Sequence, residues 1–231
     1  MPEKQEYRQH SYQRPAGATE ILLVRHGESR AASAVNPFPL KDGHGDPELH
    51  PNGEEQARRV GERLRSEPIA AVYITSLQRT AQTAAPLCQH LGLEPRVEAD
   101  LREVHLGEWE GGVLRQKSAE QDALFLEVRK QQRWDVIPGA ESWEQLNTRI
   151  MGGLQRIQTA HPDELVVAVV HGGVIAHIIA HAAGAHHFAF QGADNGSVSR
   201  IVMVGGDIVV RSFNDSSHLA DTLHDGSGQL T

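Results

Sequence analysis

The chain has 231 residues, a formal net charge of −8 and one cysteine, Cys88. This length is enough for one sizeable hydrophobic core, and the acidic balance argues against non-specific binding to nucleic acid or to anionic membranes. A single cysteine excludes an internal disulfide framework and favours a reducing compartment. No apolar run approaches the ~20 residues of a membrane span, and the polar N-terminus lacks the apolar core of a signal peptide. We therefore expect a cytoplasmic protein with no membrane or nucleic-acid partner.

The predicted elements alternate between strand and helix. In chain order they are a buried strand over 20–24, an amphipathic helix over 52–66, a strand over 69–75, a helix over 76–93, a strand over 164–170, an apolar helix over 172–184, and strands over 198–204 and 207–213 around Gly205-Gly206. The paired glycines predict a hairpin between the last two strands. Apolar strands that alternate with helices predict an α/β fold with three layers, α/β/α, in which helices cover both faces of a mostly parallel sheet.

The segment over 104–150 departs from this alternation. It contains helical stretches at about 113–132 and 141–158 and no buried strand. We interpret it as a helical lid insertion over one end of the sheet rather than as a second domain. The predicted organisation is a single domain over 19–219, preceded by a flexible tail over 1–18 and followed by another over 220–231.

Cationic side chains follow the ends of three predicted strands. The first strand stops at Arg25 and His26, the third stops at His171 and Gly172, and Arg79 lies in the first turn of the helix after the second. Carboxyl ends of parallel strands share one edge, where ligands bind. Cations gathered there would repel one another unless an anion lay between them. A phosphate group fits best, because guanidinium groups bind it bidentately and a helix N-terminus offers free N–H groups.

Two residues supply a nucleophile and a proton donor for such a phosphate. A neutral His26 can attack phosphorus and form a phosphohistidine. Glu103 can protonate the departing alkoxide and then activate water, because a carboxyl group beside a phosphate dianion stays protonated near neutral or mildly acidic pH. Glu108 and Glu110 are neighbouring alternatives.

Four ordered motifs together resemble the histidine phosphatase superfamily, the phosphoglycerate mutase-like enzymes. They are "LLVRHGES" (22–29), "TSLQRTAQTA" (75–84), "LREVHLGEWEG" (101–111) and "VVHGG" (169–173), and "DPELHPNGEEQA" and "DNGSVSRI" also fit the family. The resemblance extends over about 20–218. It implies that His26 is the nucleophile, that Glu103 is the proton donor, and that Arg25, Arg79 and His171 bind the phosphate. It also implies that no metal or cofactor is needed.

One position departs from the family pattern. Ala32 stands where many members carry an asparagine that helps to hold the phosphate, and Ser29 and Asn36 are candidates to replace it. "REVHLG" with a short lid resembles the phosphatase branch more than the mutases. We therefore expect a metal-independent phosphomonoesterase that acts on a small phosphorylated metabolite. The alternatives are a phosphoglycerate mutase and a non-catalytic phospholigand-binding relative.

Other chemistries fit the sequence less well. Cysteine phosphatase chemistry needs an arginine six positions after the cysteine, where Cys88 has Glu94. "GESRA" around Ser29 resembles a serine hydrolase turn but lacks its final glycine. His177 and His181 have a spacing that metals use, yet no third ligand is evident, which favours packing roles. "NDSSHL" (214–219) has no evident role, and the open edges of the sheet would allow a homodimer.

Overall fold

A computed structural model describes residues 7–219 of the chain. Its strands and helices are β1 (Thr19–Arg25), β2 (Leu40–Lys41), β3 (His44–Gly45), α1 (Pro51–Leu64), β4 (Ile69–Ile74), α2 (Gln78–Leu91), β5 (Arg96–Val97), α3 (Val113–Ala119), α4 (Ala123–Gln131), α5 (Trp143–Ala160), β6 (Leu165–Val170), α6 (Gly172–Ala183), β7 (Val198–Val204) and β8 (Asp207–Asp215). Short 3-10 turns lie at Ala99–Leu101, Gly107–Gly112 and Trp134–Val136.

The described strands form a six-stranded sheet in the order β5-β4-β6-β1-β7-β8, and β2 and β3 form a separate hairpin. The strands β5, β4, β6 and β1 are mutually parallel, whereas β7 pairs antiparallel with both β1 and β8. The turn between β7 and β8 is made by Gly205 and Gly206, whose φ angles are +59° and +94°. Glycine adopts positive φ without steric cost, so the hairpin predicted from this pair forms. The α/β prediction is confirmed.

The sheet separates two hydrophobic cores. Successive side chains of a strand point to opposite faces, and β1 shows this directly. Ile21 and Leu23 pack with α5 and α6, whereas Leu22 and Val24 pack with α1 and α2. The three layers are therefore α1 and α2, the sheet, and α5 and α6, as the alternating pattern predicts.

The segment predicted as a lid is divided between two environments. The helix expected over 113–132 is in fact α3 and α4, separated near Gln121, whose φ is +51°. A small separate core of Trp109, Val128 and Ile137 holds this part together. By contrast, α5 buries Leu146 and Ile150 in the main core. The part of this segment that lies outside the three layers therefore ends before α5 begins.

The N-terminal segment runs along the surface before β1. Residues 7–15 form no helix or strand, and the ring of Tyr12 lies 3.7 Å from the guanidinium of Arg211. The backbone N–H of Gly17 donates to Asp163 (2.6 Å). The tail predicted over 220–231 lies outside the described residues. Within residues 7–219, no helix is both long enough and apolar enough to cross a lipid bilayer.

Candidate active site

The predicted cations come together at the carboxyl edge of the sheet. His26 follows β1 and His171 follows β6, and these strands are parallel neighbours in which Arg25 pairs with Val170. The two imidazole ring centroids are 5.1 Å apart. Arg79 in the first turn of α2 donates from Nε to His26 Nε2 (3.2 Å). The pairing of the strands thus brings together residues that are far apart in sequence.

The hydrogen bonds of His26 determine which nitrogen carries its proton. Nδ1 lies 2.8 Å from the carbonyl oxygen of Gly27. A carbonyl oxygen only accepts, so Nδ1 is the donor and Nε2 keeps a lone pair. Burial and the charges of Arg79 and Arg25 hold the pKa of His26 well below its ordinary value. At neutral pH, His26 therefore presents an unprotonated Nε2 to the pocket.

His171 is held by a threonine at the end of β4. Its Nε2 lies 3.1 Å from Thr75 Oγ1, which also accepts the backbone N–H of Leu77 (3.3 Å). The other ring nitrogen, Nδ1, is buried and has no hydrogen-bond partner within residues 7–219. Burial and the charge of Arg79 hold the pKa of His171 well below its ordinary value. This Nδ1 is available to a bound anion.

Of the two arginines predicted to bind phosphate, Arg79 is buried and Arg25 is half-buried. Arg25 donates to the carbonyl oxygen of Ala193, and its Nε has no partner within the described part of the chain. Arg79 donates from Nη1 to the carbonyl oxygen of Gly45 (2.9 Å). Burial lowers the pKa of Arg25 and lowers that of Arg79 to about 10. Both guanidinium groups remain charged at neutral pH.

Gly172, also predicted to contact phosphate, opens α6 beside one of these arginines. A Cβ at this position would lie 3.2 Å from Arg25 Nε, so the guanidinium packs against the bare backbone. His171 immediately before it is the N-cap of α6, and no side chain caps this end. The N-terminus of a helix favours anions. Gly172 therefore lies at the edge of the same pocket.

Glu103 lies against the next residue of that helix. Its carboxylate accepts the N–H groups of Val104 (2.9 Å) and Gly173 (3.3 Å). Its backbone carbonyl accepts from Arg149 Nη2 of α5 (2.9 Å). The loop that bears the carboxyl group is thus tied to both helices on this face of the sheet.

The two neighbouring carboxyl groups have other surroundings. Glu108 is exposed. Glu110 accepts the N–H groups of Leu106 (2.9 Å) and Gly45 (2.6 Å), so both of its oxygens tie loops together. The geometry therefore favours Glu103 as the carboxyl group of this pocket.

Gly27 is required by helix packing. A Cβ on Gly27 would lie 2.4 Å from the carbonyl oxygen of Gly53, and one on Gly53 would lie 2.0 Å from that of Glu28. These glycines let the first turn of α1 pack directly on the loop after His26. Glu28 accepts from Asn52 Nδ2 (3.1 Å), so its carboxylate is bonded to α1.

Asn195 is a site residue that the sequence did not identify. Its Nδ2 donates to the backbone carbonyl of His26 (2.9 Å), and the N–H of Gly196 donates to that of Arg25 (3.0 Å). These residues belong to "DNGSVSRI", a motif noted in the sequence without a role. The loop positions the backbone of the predicted nucleophile.

The "NDSSHL" segment supports this loop from behind. Asn214 accepts the N–H of Asp194 (2.6 Å) and donates to its carboxylate (3.0 Å). His218 Nε2 bonds the carbonyl oxygen of Gly196 (3.0 Å). The segment thus holds Asp194 and Gly196, on either side of the Asn195 that bonds the backbone carbonyl of His26.

The remaining sequence candidates have other surroundings. Asn36, considered as a replacement for the missing asparagine, is exposed. Ser29 Oγ accepts from Arg115 Nη2 (2.8 Å). His177 bonds Asn147 Oδ1 (3.0 Å), and its ring packs 3.9 Å from that of Trp143, so it has the packing role expected.

This three-layer fold, with paired imidazoles and guanidinium groups at the carboxyl edge of its sheet, is that of a histidine phosphatase. The chain belongs to the histidine phosphatase superfamily (branch 1), whose family model matches residues 21–216. The family prediction from the four motifs is confirmed.

The chain is similar to a mutase-like protein and to two proteins named as phosphatases. The chain is 37% identical over 216 residues to phosphoglycerate mutase-like protein 4 of Arabidopsis thaliana, covering 90% of this chain and 91% of that protein. It is 31% identical to the metal-independent phosphoserine phosphatase of the same plant, over 87% of this chain and 84% of that one. A mycobacterial glucosyl-3-phosphoglycerate phosphatase superposes with a TM-score of 0.71 at 28% identity, covering 86% of this chain and 100% of that one. The chain is a histidine phosphatase.

Proposed function

We propose that this protein is a metal-independent phosphomonoesterase that transfers the phosphoryl group of a small metabolite to His26 and then to water. One observation carries the proposal. The unprotonated Nε2 of His26 accepts from Arg79, its ring lies 5.1 Å from that of His171, and Glu103 lies beside the helix that follows His171.

In the first step, the lone pair of His26 Nε2 forms a bond to phosphorus. The bond between phosphorus and the ester oxygen breaks, and its electron pair stays on that oxygen. Glu103 gives its proton to the same oxygen, and the alcohol leaves. Arg25 and Arg79 offset the charge on the phosphoryl oxygens throughout.

In the second step, water attacks the phosphorus of phosphohistidine. The carboxylate of Glu103, left unprotonated by the first step, takes a proton from the water. The P–N bond breaks and its electron pair returns to His26 Nε2. Inorganic phosphate leaves, and Glu103, now carrying the proton taken from water, is the acid again for the next turnover.

The decisive experiment traps the covalent intermediate. The protein is mixed with a radioactive phosphomonoester and quenched in alkali, because phosphohistidine survives alkali and not acid. We expect label on His26 and a loss of turnover on the order of 10³-fold or more in His26→Ala. The matched control is His181→Ala, an exposed histidine of α6. Turnover that survives His26→Ala, or label on another residue, would overturn the proposal.

The substrate is best sought among phosphorylated hydroxy acids and sugars. The relatives are named for phosphoserine, phosphoglycerate and glucosyl-3-phosphoglycerate. A panel of these compounds with a nucleotide monophosphate would rank kcat/KM. A protein that binds phosphate yet releases none from any of them, or from p-nitrophenyl phosphate, would be the non-catalytic relative.

A phosphoglycerate mutase is the second candidate, supported by the name of a relative 37% identical to this chain. A coupled assay with 2,3-bisphosphoglycerate separates the two functions. We expect release of inorganic phosphate to exceed isomerisation of phosphoglycerate. Isomerisation without release would assign the mutase instead.

A further inference from the structure

A third guanidinium group lies close to the loop that follows His26. Arg115 of α3 donates from Nη2 to Ser29 Oγ (2.8 Å) and from Nη1 to the carbonyl oxygen of Arg30 (2.9 Å). Ser29 is buried and lies only three residues after His26. An arginine from outside the sheet layers is thus anchored to the loop of the predicted nucleophile.

The charge of Arg115 reaches the pocket. It contributes to the lowered pKa of Arg25, of His26 and of Arg79. Within residues 7–219 it forms no ion pair, whereas Arg30 beside it pairs with Glu48 (3.0 Å). The charge of Glu28 acts on Arg115 in the favourable sense, but Arg25, Arg79 and Arg115 still repel one another. A phosphate dianion would offset that repulsion.

Close packing fixes the approach of Arg115. A Cβ on Gly112, at the start of α3, would lie 3.0 Å from Ala32 Cβ and 3.1 Å from the ring of Phe38. The guanidinium of Arg115 lies 5.2 Å from the centroid of the same Phe38 ring. The small side chains at 32 and 112 therefore let α3 approach the loop closely enough for Arg115 to reach it.

We propose that Arg115 of α3 is a further binding residue for the phosphoryl group. Phosphate then holds α3 against the loop of Ser29 and Ala32. This inference rests on the proposed function only in that the pocket binds a phosphoryl group, and it does not require turnover.

The test measures binding of inorganic phosphate by calorimetry, without any reaction. We expect Arg115→Gln to raise Kd about 10- to 100-fold, as for the loss of one charge-assisted hydrogen bond. Arg115→Lys keeps the positive charge but loses the planar guanidinium that can donate two parallel hydrogen bonds. Its phosphate Kd should therefore fall between those of Arg115→Gln and the unchanged protein. The matched control is Arg129→Gln, an exposed arginine of α4, whose Kd should stay within about 2-fold.

Two outcomes would overturn the inference. One is a phosphate Kd for Arg115→Gln equal to that of the control. The other is that Arg115→Gln leaves the phosphate Kd unchanged and raises KM only for substrates with a second anionic group. Arg115 would then bind the leaving group of the substrate and not its phosphoryl group. If Arg115→Gln fails to fold, the comparison of Arg115→Lys with the unchanged protein decides. A protein that binds phosphate through Arg115 without turnover would refute the proposed function and leave this inference standing.

Discussion

Glu103 and Gly173 are in direct contact, and the contact leaves no room for a side chain. The N–H of Gly173 donates to Glu103 Oε2 (3.3 Å), and a Cβ on Gly173 would lie 2.6 Å from Oε1. The same Cβ would lie 2.7 Å from Val104 Cγ2. The second glycine of "HGG" thus allows the carboxyl group to lie beside the N-terminus of α6.

Gly173→Ala should therefore displace the proton donor and leave the fold intact. We expect kcat to fall about 100-fold on an alkyl phosphate, because a displacement near 1 Å removes much of the benefit of positioning. The control is Gly152→Ala in α5, where the nearest atom would be Arg156 Nη1 at 3.5 Å, an ordinary contact. Equal kcat values for Gly173→Ala and Gly152→Ala would mean that the contact between Gly173 and Glu103 does not position the proton donor.

Glu103→Gln should make turnover depend on the leaving group. Without a proton donor, an alkoxide leaves poorly, whereas p-nitrophenolate leaves without help. We expect kcat to fall about 10²- to 10⁴-fold for an alkyl phosphate and much less for p-nitrophenyl phosphate. Glu110→Gln is the control, because Glu110 binds two backbone N–H groups. If both substrates lose the same factor in Glu103→Gln, the residue is not the acid.

The fold was predictable where hydrophobic periodicity is strong. The apolar strands and the helices between them are found close to their predicted positions, because β1, β4 and β6 are buried along nearly their whole length. The prediction for the segment that begins at residue 104 was wrong in detail, because α3, α4 and α5 have similar local sequence patterns. The burial of Leu146, Ile150, Leu154 and Ile157 in the main core shows that α5 belongs to the sheet layers.

The candidate site was predictable in its charges and less so in its supports. Arg25 ends β1, and His26 and His171 follow β1 and β6, so their meeting depends only on the parallel pairing of these two strands. Asn195 and Arg115 come from loops and from a helix outside the sheet layers, and no periodicity places such residues. "DNGSVSRI" was the one signal for Asn195, and it became interpretable only with the hydrogen bond to His26.

Asn195→Ala tests whether the loop behind His26 positions the nucleophile. The variant loses the hydrogen bond from Asn195 Nδ2 to the carbonyl oxygen of His26 (2.9 Å). We expect the free energy of unfolding to fall by about 1 kcal/mol and kcat to fall about 10-fold with little change in KM. The control Asn147→Ala removes the bond to His177 Nε2 (3.0 Å), away from the pocket, and should leave kcat unchanged. Asn195→Ala with the kcat of the control would exclude a positioning role.

Buried histidines should make stability depend on pH. Burial lowers the pKa of His177 to about 3, whereas in the unfolded chain it is near 6.5. Between these values the unfolded chain binds the extra proton, so the stability present above about pH 6.5 is lost as the pH falls, at about 1.4 kcal/mol per pH unit for this group. His26 and His171, whose pKa values are also lowered, act in the same direction.

Urea unfolding of His177→Gln between about pH 7 and pH 5 isolates the contribution of one histidine. The variant loses the contacts with Asn147 and Trp143, so it should be less stable at pH 7. Its free energy of unfolding should nevertheless fall less steeply with acid, by about 1.4 kcal/mol per pH unit, because it no longer takes up that proton on unfolding. His181→Gln, an exposed neighbour one turn further along α6, should keep the slope of the unchanged protein. Parallel curves for His177→Gln and the unchanged protein would mean that His177 is protonated in the folded state, against the burial that lowers its pKa.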